Sequence, residues 1–369
     1  MENLIIITSD LVNNIQNIIQ EDITEINKRL QQRGISYKDK TVLVTGGAGF
    51  LGSWVCDVLI SQGAKVICVD NFSSGKPKNI EHIYNHPNFR FIGHDIATPI
   101  YFGKIHPHAF CVPDIKRIDI VMHMASRASP FEFEKHPISI LKSNTIGTFN
   151  ALGIANLNNA DFFYTSTSEV YGNPPDDAIP TSEDYFGNVN PIGPRSCYDE
   201  SKRAGEAFVM AYILEYNINA WVVRIFNTYG PRIRWGKTFG RVVPNFIHQA
   251  LQDKDITIFG DGKQTRSYTY IVDEIEAILT DISTPKAKGT VINIGNNIET
   301  TVLELAEMII ELTNSKSKIV HQPLPIDDPV RRQPALKRAN EILKWKPQIQ
   351  LKKGLKRTIE WFKTIVSEE

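Results

Sequence analysis

The chain lacks a long hydrophobic run, an excess of charge of either sign and an abundance of cysteine. Residues 4–7 are apolar, but they follow an acidic residue and are too few to cross a bilayer, so we expect neither a signal peptide nor a membrane anchor. Basic and acidic residues number 41 each, which gives zero formal charge and argues against nucleic acid or an anionic membrane as a partner.

The four cysteines have no paired spacing, and they are Cys56, Cys68, Cys111 and Cys197. Thiols without a CxxC motif are typical of a reducing compartment, so we expect a cytoplasmic protein with no disulfide and no metal site. Internal repeats and low-complexity segments are also missing from the sequence. The 369 residues are enough for about two domains.

Residues 41–71 carry the strongest local pattern. An apolar β-branched run leads into GGAGFLG, a helical period follows, and a second apolar run ends at Asp70. This order predicts strand, glycine turn, helix and strand, as in dinucleotide-binding folds. Gly46 permits the tight turn, Gly49 lets a pyrophosphate approach the start of the helix, and Gly52 allows the helix to pack closely on the strand.

Asp70 indicates which dinucleotide binds. Its carboxylate can accept hydrogen bonds from both ribose hydroxyls and repels a 2′-phosphate, so the pattern favours NAD over NADP. Residues that follow later strands join the predicted site, because ligands of open α/β sheets collect at the carboxyl ends of strands. The residues predicted to bind NAD are Gly46, Gly49, Phe50, Leu51, Gly52, Asp70, Asn71, Asp95, Ile96, Ala125, Tyr198 and Lys202.

The remaining pattern predicts an α/β fold, with a Rossmann-type doubly wound parallel sheet and a smaller mixed α/β substrate-binding domain. Further strands are predicted at residues 89–96, 118–125, 162–172, 221–226, 256–259 and 291–295. His123 lies inside one of these runs and is expected to be packed, not catalytic. The predicted units are a helical appendage at 1–38, an NAD-binding domain at 39–229 with a return of the chain at about 268–284, and a nucleotide-sugar-binding domain at 230–369.

Two clusters of reactive side chains follow the cofactor motif. Tyr198 and Lys202 are one helical turn apart, so the lysine can lower the pKa of the phenol and make it a base for a sugar hydroxyl while NAD accepts the hydride. Thr167, Ser168 and Glu169 come where a buried strand ends. Unpaired polar groups are costly to bury, so these three are expected to face a polar ligand.

Four stretches resemble the extended short-chain dehydrogenase/reductase family of nucleotide-sugar enzymes, and most closely its UDP-glucuronate decarboxylase group. They are residues 166–172 (STSEVYG), 183–200 (EDYFGNVNPIGPRSCYDE), 224–232 (RIFNTYGPR) and 260–266 (GDGKQTR). The resemblance extends over residues 40–365, and the second stretch is the most specific of the four.

The resemblance implies conversion of UDP-glucuronic acid to UDP-xylose and CO2. Tyr198 and NAD would oxidise the C4 hydroxyl, the carboxylate would leave from C5, and retained NADH would reduce C4 again. By the same resemblance Thr167 would hydrogen-bond the C4 hydroxyl, and Glu169 would assist decarboxylation with Ser168 and Arg266. Lys202 completes the catalytic set. Arginines can grip a diphosphate, and the residues expected to bind substrate are Arg127, Asn227, Arg232, Arg241, Arg266 and Arg331.

Other activities stay open at this point. A 4-epimerase, an oxidative decarboxylase that releases the 4-keto sugar, and a catalytically silent relative each fit the cofactor motif. A 4,6-dehydratase fits less well, because the acid that it uses is replaced by Ser168. Arg127 stands where related decarboxylases carry proline, close to the expected sugar site, so it bears on the identity of the sugar. Ala335 stands where they carry aspartate, which is expected to cost a local contact with an arginine and not the chemistry. The resemblance also implies a homodimer, formed through a four-helix bundle.

Overall fold

The computed structural model describes residues 9–103, 106–107, 110–236, 241–323 and 331–366, and the side chains from residue 17 to residue 365 within those ranges. Its helices are α1 Ser9–Gln32, α2 Phe50–Ser61, α3 Pro130–Lys135, α4 Pro137–Asn144, α5 Ile146–Asn158, α6 Ser196–Tyr216, α7 Val242–Leu251, α8 Ile271–Ile282, α9 Val302–Thr313, α10 Lys337–Leu343 and α11 Leu351–Val366.

Each of the eight predicted runs contains a strand, and the described residues form eight further short strands that were not predicted. All the strands of the described residues are β1 Thr41–Thr45, β2 Lys65–Asp70, β3 Phe89–Gly93, β4 Ile100–Phe102, β5 Phe110–Val112, β6 Ile120–His123, β7 Asp161–Thr167, β8 Ala220–Ile225, β9 Thr228–Tyr229, β10 Ile256–Phe259, β11 Thr265–Ser267, β12 Thr269–Tyr270, β13 Val291–Ile294, β14 Glu299–Thr301, β15 Ile319–Gln322 and β16 Arg331–Arg332.

Seven strands form one parallel sheet in the order β13, β8, β7, β6, β1, β2, β3. The register pairs Val44 with Cys68 on one side of β1 and with Met122 on the other. Helices cover the sheet, so these strands are apolar on both faces, as their sequences predicted. The Rossmann-type prediction is confirmed, and the carboxyl ends of all seven strands lie along one edge.

Small sheets from the second half of the chain stand beyond that edge. Strand β11 pairs with β14 and β16, β10 pairs with β15, and β9 pairs with β12. Two later elements nevertheless belong with the large sheet: β13 extends it, and helix α8, buried along its whole length, packs against β8 and β13. The chain therefore returns to the large sheet, as predicted, while the exact domain boundaries stay a prediction.

The amphipathic segment near the amino terminus forms a single helix that packs on the body of the same chain. Ile26 and Leu30 are fully buried, and Arg29 donates to Asp273 of α8 at 2.7 Å. Asp22 accepts a hydrogen bond from the hydroxyl of Tyr270 at 2.6 Å. The sequence did not decide between this position and one on a neighbouring subunit.

Helical spacing of the residues from Pro137 to Leu157 predicts one long helix, but the structure has two, α4 and α5, separated at Thr145. The Thr145 hydroxyl donates to the carbonyl oxygen of Leu141 at 2.6 Å. A threonine that bonds back to the preceding turn often bends a helix. The strand expected to reach residue 172 ends at Thr167, where a short 3₁₀ turn over Ser168–Tyr171 begins.

Candidate active site

A cavity of about 1160 Å³ opens along the carboxyl edge of the large sheet and extends to the small sheets. Pockets for one drug-sized ligand occupy about 300–1,000 Å³, so this cavity can hold two ligands. Nineteen of the twenty-one predicted site residues line it: Gly46, Gly49, Phe50, Leu51, Gly52, Asp70, Asn71, Asp95, Ile96, Ala125, Arg127, Thr167, Ser168, Glu169, Tyr198, Lys202, Asn227, Arg241 and Arg266.

The glycine turn between β1 and α2 leaves no room for side chains. Gly46 has a φ of +71°, a left-handed conformation that favours glycine. A Cβ atom placed on Gly52 would stand 2.2 Å from the carbonyl oxygen of Gly46, so the helix can approach the turn only without one. Gly49 directly precedes α2. Backbone N–H groups at this helix start are free to face a pyrophosphate, so the turn fits a dinucleotide.

Asp70 ends β2 beside that turn. One of its carboxylate oxygens accepts the N–H of Ala48 at 3.0 Å, and the other accepts the N–H of Phe72 at 2.7 Å. Burial raises the pKa of this carboxyl, and the backbone donors counteract the rise. The Asp70 carboxylate is thus fixed in orientation at the cavity wall, which suits a group that accepts hydrogen bonds from a ribose.

Tyr198 and Lys202 lie on α6 with their side chains buried at the edge of the cavity. Lys202 donates from Nζ to the carbonyl oxygen of Thr165 at 2.7 Å. Burial lowers the pKa of Lys202 to about 7, and the charge of Glu206 opposes this. The ammonium group therefore changes protonation state near neutral pH.

The sequence predicts that Lys202 lowers the pKa of the Tyr198 phenol, but other influences on that pKa dominate. Burial raises the pKa of Tyr198, and a hydrogen bond with Thr167 is the largest influence in the opposite direction. The phenol ring stacks on Phe133 of α3, with ring centroids 4.9 Å apart. Thr167 thus lies beside the phenol, where one hydroxyl of a sugar could contact both.

Glu169 is the centre of a cationic cluster. Its Oε2 atom accepts hydrogen bonds from Arg195 and, at 3.0 Å, from Arg332. Burial acts to raise the pKa of the Glu169 carboxyl, but the charges of Arg332, Arg195 and Arg266 outweigh it and lower the pKa to about 2. Glu169 is therefore ionised at neutral pH, and Ser168 donates to its other oxygen at 3.3 Å.

A second acid beside the cluster behaves differently. Asp199 follows Tyr198 on α6, and its carboxylate lies 3.8 Å from Arg195. Burial and the charge of Glu169 raise the pKa of Asp199 to about 8. The cluster holds three guanidinium groups, those of Arg195, Arg266 and Arg332, against the two carboxyl groups of Glu169 and Asp199, so it has an excess of positive charge whether or not Asp199 is ionised.

Two arginines predicted to bind substrate do not line the cavity. Arg232 is buried and pairs with Asp57 at 2.6 Å. Arg331 pairs with Glu299 at 2.7 Å and points away from the cavity. Arg332 lines the cavity in place of Arg331. The two residues are consecutive on β16, so their side chains point to opposite faces of the strand. The sequence predicted Arg331, and not its neighbour Arg332, as the substrate ligand.

Arg195 was missed, although it stands in the most specific stretch of the sequence. It immediately precedes α6 and reaches back to Glu169 after a long loop, a contact that no local pattern encodes. Arg127 does line the cavity, with its Nη1 atom 2.5 Å from Glu132 of α3. The Nε atom of Arg127 is buried and makes no hydrogen bond to the described residues.

His123 is packed, as expected. Its Nδ1 atom is 2.8 Å from the hydroxyl of Thr45, and burial lowers its pKa to about 3. Within the part of the chain that the structure describes, no cluster of three or more histidine, cysteine or acidic side chains is arranged to hold a metal, and no helix has both the length and the apolar character needed to cross a bilayer.

The chain belongs to the NAD dependent epimerase/dehydratase family, whose model matches residues 42–295. NAD is the cofactor of this family, and the shape of the glycine turn fits a dinucleotide.

Particular relatives narrow the comparison. The chain is 42% identical over 354 residues to UDP-glucuronic acid decarboxylase 1 of Danio rerio, covering 93% of this chain and 79% of that protein. UDP-glucose 4-epimerase of Thermotoga maritima, solved with UDP-glucose, is similar in structure, with a TM-score of 0.78, 31% identity, and coverage of 88% of this chain and 99% of that one. UDP-glucuronic acid 4-epimerase of Bacillus cereus, solved with UDP-glucuronic acid and NAD, gives a TM-score of 0.75 and 27% identity at the same coverages.

Proposed function

We propose that this protein is an NAD-dependent UDP-glucuronate decarboxylase that forms UDP-xylose and CO2. The observation that carries the proposal is the excess positive charge around Glu169, whose carboxylate contacts Arg195 and Arg332, with Arg266 beside Arg332 as a third cation. A uronate carboxylate would balance that charge, whereas a neutral sugar would not. The curated decarboxylase at 42% identity supports the same substrate.

The chain's own residues supply the positioning and the proton transfers. Thr167 and Tyr198 share a hydrogen bond at the cavity edge, so both can contact the C4 hydroxyl, and Tyr198 in its phenolate form accepts the proton of that hydroxyl. Gly46, Gly49, Gly52 and Asp70 would hold NAD, which when bound supplies the hydride acceptor for C4. A ketone at C4 stands β to the carboxylate, so the electrons of the breaking C–C bond have an acceptor. Lys202, which donates to the carbonyl oxygen of Thr165, would contact the cofactor beside Tyr198.

Glu169 and its arginines act on the carboxylate side. Because its pKa is about 2, Glu169 is an acceptor, and it orients Arg195 and Arg332 toward the cavity. Arg266 lies on β11, paired in register with Arg332 on β16, and supplies the third cation. Ser168 is neutral, so it can donate a hydrogen bond to the uronate without repelling it. Loss of CO2 leaves the electron pair of the broken bond in an enolate of the C4 ketone, and a proton taken from water at C5 restores the ketone.

Residues outside the cluster around Glu169 would bind the substrate diphosphate and other parts of the ligand. Arg241 and Asn227 line the cavity, and Arg241 is close enough to Tyr198 that the two charges influence each other. We assign Arg241 and Asn227 to the substrate diphosphate and nucleotide. Arg127 has an unpaired buried N–H group, which we assign to an acidic group of the ligand.

Product analysis tests the proposal. Purified protein is incubated with UDP-glucuronic acid and NAD, and the products are identified by proton NMR together with a CO2 assay. UDP-xylose with no net change in reduced nicotinamide is the expected result. UDP-galacturonic acid would identify a 4-epimerase, stoichiometric NADH with a 4-keto pentose an oxidative decarboxylase, and elimination of water a dehydratase. No turnover on a panel of UDP-sugars would identify a silent relative.

The proposal includes a homodimer built on α5 and α6. Phe149 of α5 is half exposed, and its ring lies 6.1 Å from those of Phe208 and Tyr212 on α6. Leu157 and Tyr216 extend this apolar surface. Such a patch on paired helices favours a four-helix bundle between two copies. Light scattering of the wild type and of Phe149→Asp tests it: a wild-type monomer contradicts the dimer.

We also infer a cytoplasmic location, supported by the free thiols of all four cysteines. A UDP-sugar, not nucleic acid, is the proposed partner, which the balanced charge supports.

A further inference from the structure

A short segment after β9, residues 231–236, crosses from the substrate half of the chain to the helix that follows the glycine turn. We call it the strap. The indole N–H of Trp54 donates to the carbonyl oxygen of Pro231 at 3.1 Å. Arg232 pairs with Asp57 at 2.6 Å, with both side chains almost fully buried. The first half of the strap is thereby fixed to α2, which gives Arg232 a structural role in place of the predicted ligand contact.

The second half of the strap contacts the loop that follows Asp70. Arg234 donates from Nη1 to the carbonyl oxygen of Ser74 at 2.7 Å. The ammonium group of Lys76 lies 4.7 Å from the centroid of the Trp235 ring, which is a cation–π distance. We call this loop, residues 71–76, the cofactor loop. Arg234 and Trp235 of the strap therefore contact two of its residues.

The cofactor loop itself folds back onto the glycine turn. The N–H of Lys76 donates to the carbonyl oxygen of Ala48 at 3.0 Å, and a Cβ atom on Gly75 would come within 2.9 Å of Asp70 Oδ2. Asp70, the glycine turn and the cofactor loop thus enclose one end of the cavity. That end is where the pyrophosphate and the ribose of a dinucleotide are recognised in this type of turn.

We propose that Arg234 and Trp235 are positioning residues that hold the cofactor loop closed on NAD, so that the dinucleotide is released only when the strap detaches. The inference rests on the proposed function, because a redox-neutral reaction requires the cofactor to remain bound between its two steps. Trp235 is itself anchored, since its ring lies 5.1 Å from that of Phe362 on α11. The strap therefore transfers the rigidity of the carboxyl-terminal helix to the cofactor loop.

The strap also couples release of NAD to binding of the substrate, because Arg234 faces the part of the cavity where Arg241 lies. Arg234 lines the same cavity as Arg241, and the charge of Arg234 adds to the burial that lowers the pKa of Arg241. An anion bound between them relieves that repulsion and stabilises Arg234 in its present position. Binding effects between two sites are reciprocal, so a nucleotide diphosphate is expected to slow the release of NAD.

Release of labelled NAD tests the proposal directly. The protein is loaded with radiolabelled NAD and diluted into excess unlabelled NAD, with and without UDP, and the retained label is followed over time. Arg234→Gln removes a charged hydrogen bond and is expected to speed release about tenfold or more. Lys76→Met changes only an exposed side chain and is expected to speed release by about threefold.

Arg338→Gln is the matched control, because Arg338 also donates to a backbone carbonyl, that of Val291 at 3.2 Å, but lies outside the cavity. Its release rate is expected to equal that of the wild type, and UDP is expected to slow release in the wild type and control only. Equal release rates for the wild type, Arg234→Gln and Lys76→Met overturn the proposal, as does a wild type that exchanges NAD immediately. The assay needs no turnover, so a failed decarboxylase assignment would show in the product analysis and not here.

Discussion

The glycine turn and the cluster around Glu169 face each other across one cavity, and they recognise their ligands with different parts of the chain. Backbone N–H groups, close contacts and one carboxylate form the cofactor side, all within residues 46–75. Charged side chains from three distant segments form the substrate side, where Glu169, Arg195 and Arg332 meet. The first kind of site depends on local shape, whereas the second depends on how the whole chain folds.

The first test removes the proposed catalytic base and leaves the glycine turn and the cluster around Glu169 unchanged. Tyr198→Phe loses the hydroxyl that accepts the substrate proton, so kcat is expected to fall by about 10²- to 10⁴-fold. The glycine turn and the cluster around Glu169 keep all their side chains, so NAD content and UDP affinity measured by calorimetry are expected to stay close to the wild-type level. Wild-type turnover in this variant would end the assignment of Tyr198 as the base.

The second test breaks the backbone side. In Gly52→Ala the new methyl group meets the Gly46 carbonyl oxygen at 2.2 Å, so the turn must open. Overpacking of this kind costs about 1–3 kcal/mol, and we expect NAD affinity to fall by about ten- to a hundredfold. Gly153→Ala on α5 is the control, because a Cβ atom there meets nothing within 4 Å. Equal NAD affinity in the two variants, measured by fluorescence titration, would show that the turn is not a close-packed cradle.

The third test addresses the side-chain half. Arg195→Gln removes a charged hydrogen bond beside the proposed uronate site, so KM for UDP-glucuronic acid is expected to rise about tenfold. Arg331→Gln removes only a partly exposed pair with Glu299, so its KM is expected to stay within about twofold of the wild type. A larger KM effect at Arg331 than at Arg195 would restore the prediction made from the sequence and overturn the placement of the cationic cluster.

The smallest expected effect concerns stability and pH. Burial and the charge of Glu169 raise the pKa of Asp199 to about 8, well above that of an aspartate in an unfolded chain. Between about pH 4 and pH 8 the unfolded state therefore binds fewer protons at this residue than the folded state, so the contribution of Asp199 to stability declines as pH rises.

In Asp199→Asn, residue 199 cannot ionise in the folded or the unfolded state, so its contribution to stability does not decline as pH rises. Its free energy of unfolding, measured in urea, is expected to improve relative to the wild type between pH 5 and pH 8. A difference between variant and wild type that stays constant over this range would contradict the raised pKa.

The sequence alone determined the parallel sheet, the glycine turn with Asp70, and the pairing of Tyr198 with Lys202, because each depends on residues that are neighbours along the chain. It also identified the end of the strand that carries Thr167 to Glu169. Only the tertiary structure decided which arginines reach the cavity, where the amino-terminal helix packs, and that burial outweighs Lys202 in setting the pKa of Tyr198. Those outcomes depend on distances between remote segments and on exclusion of water, and neither quantity is written in a local pattern of residues.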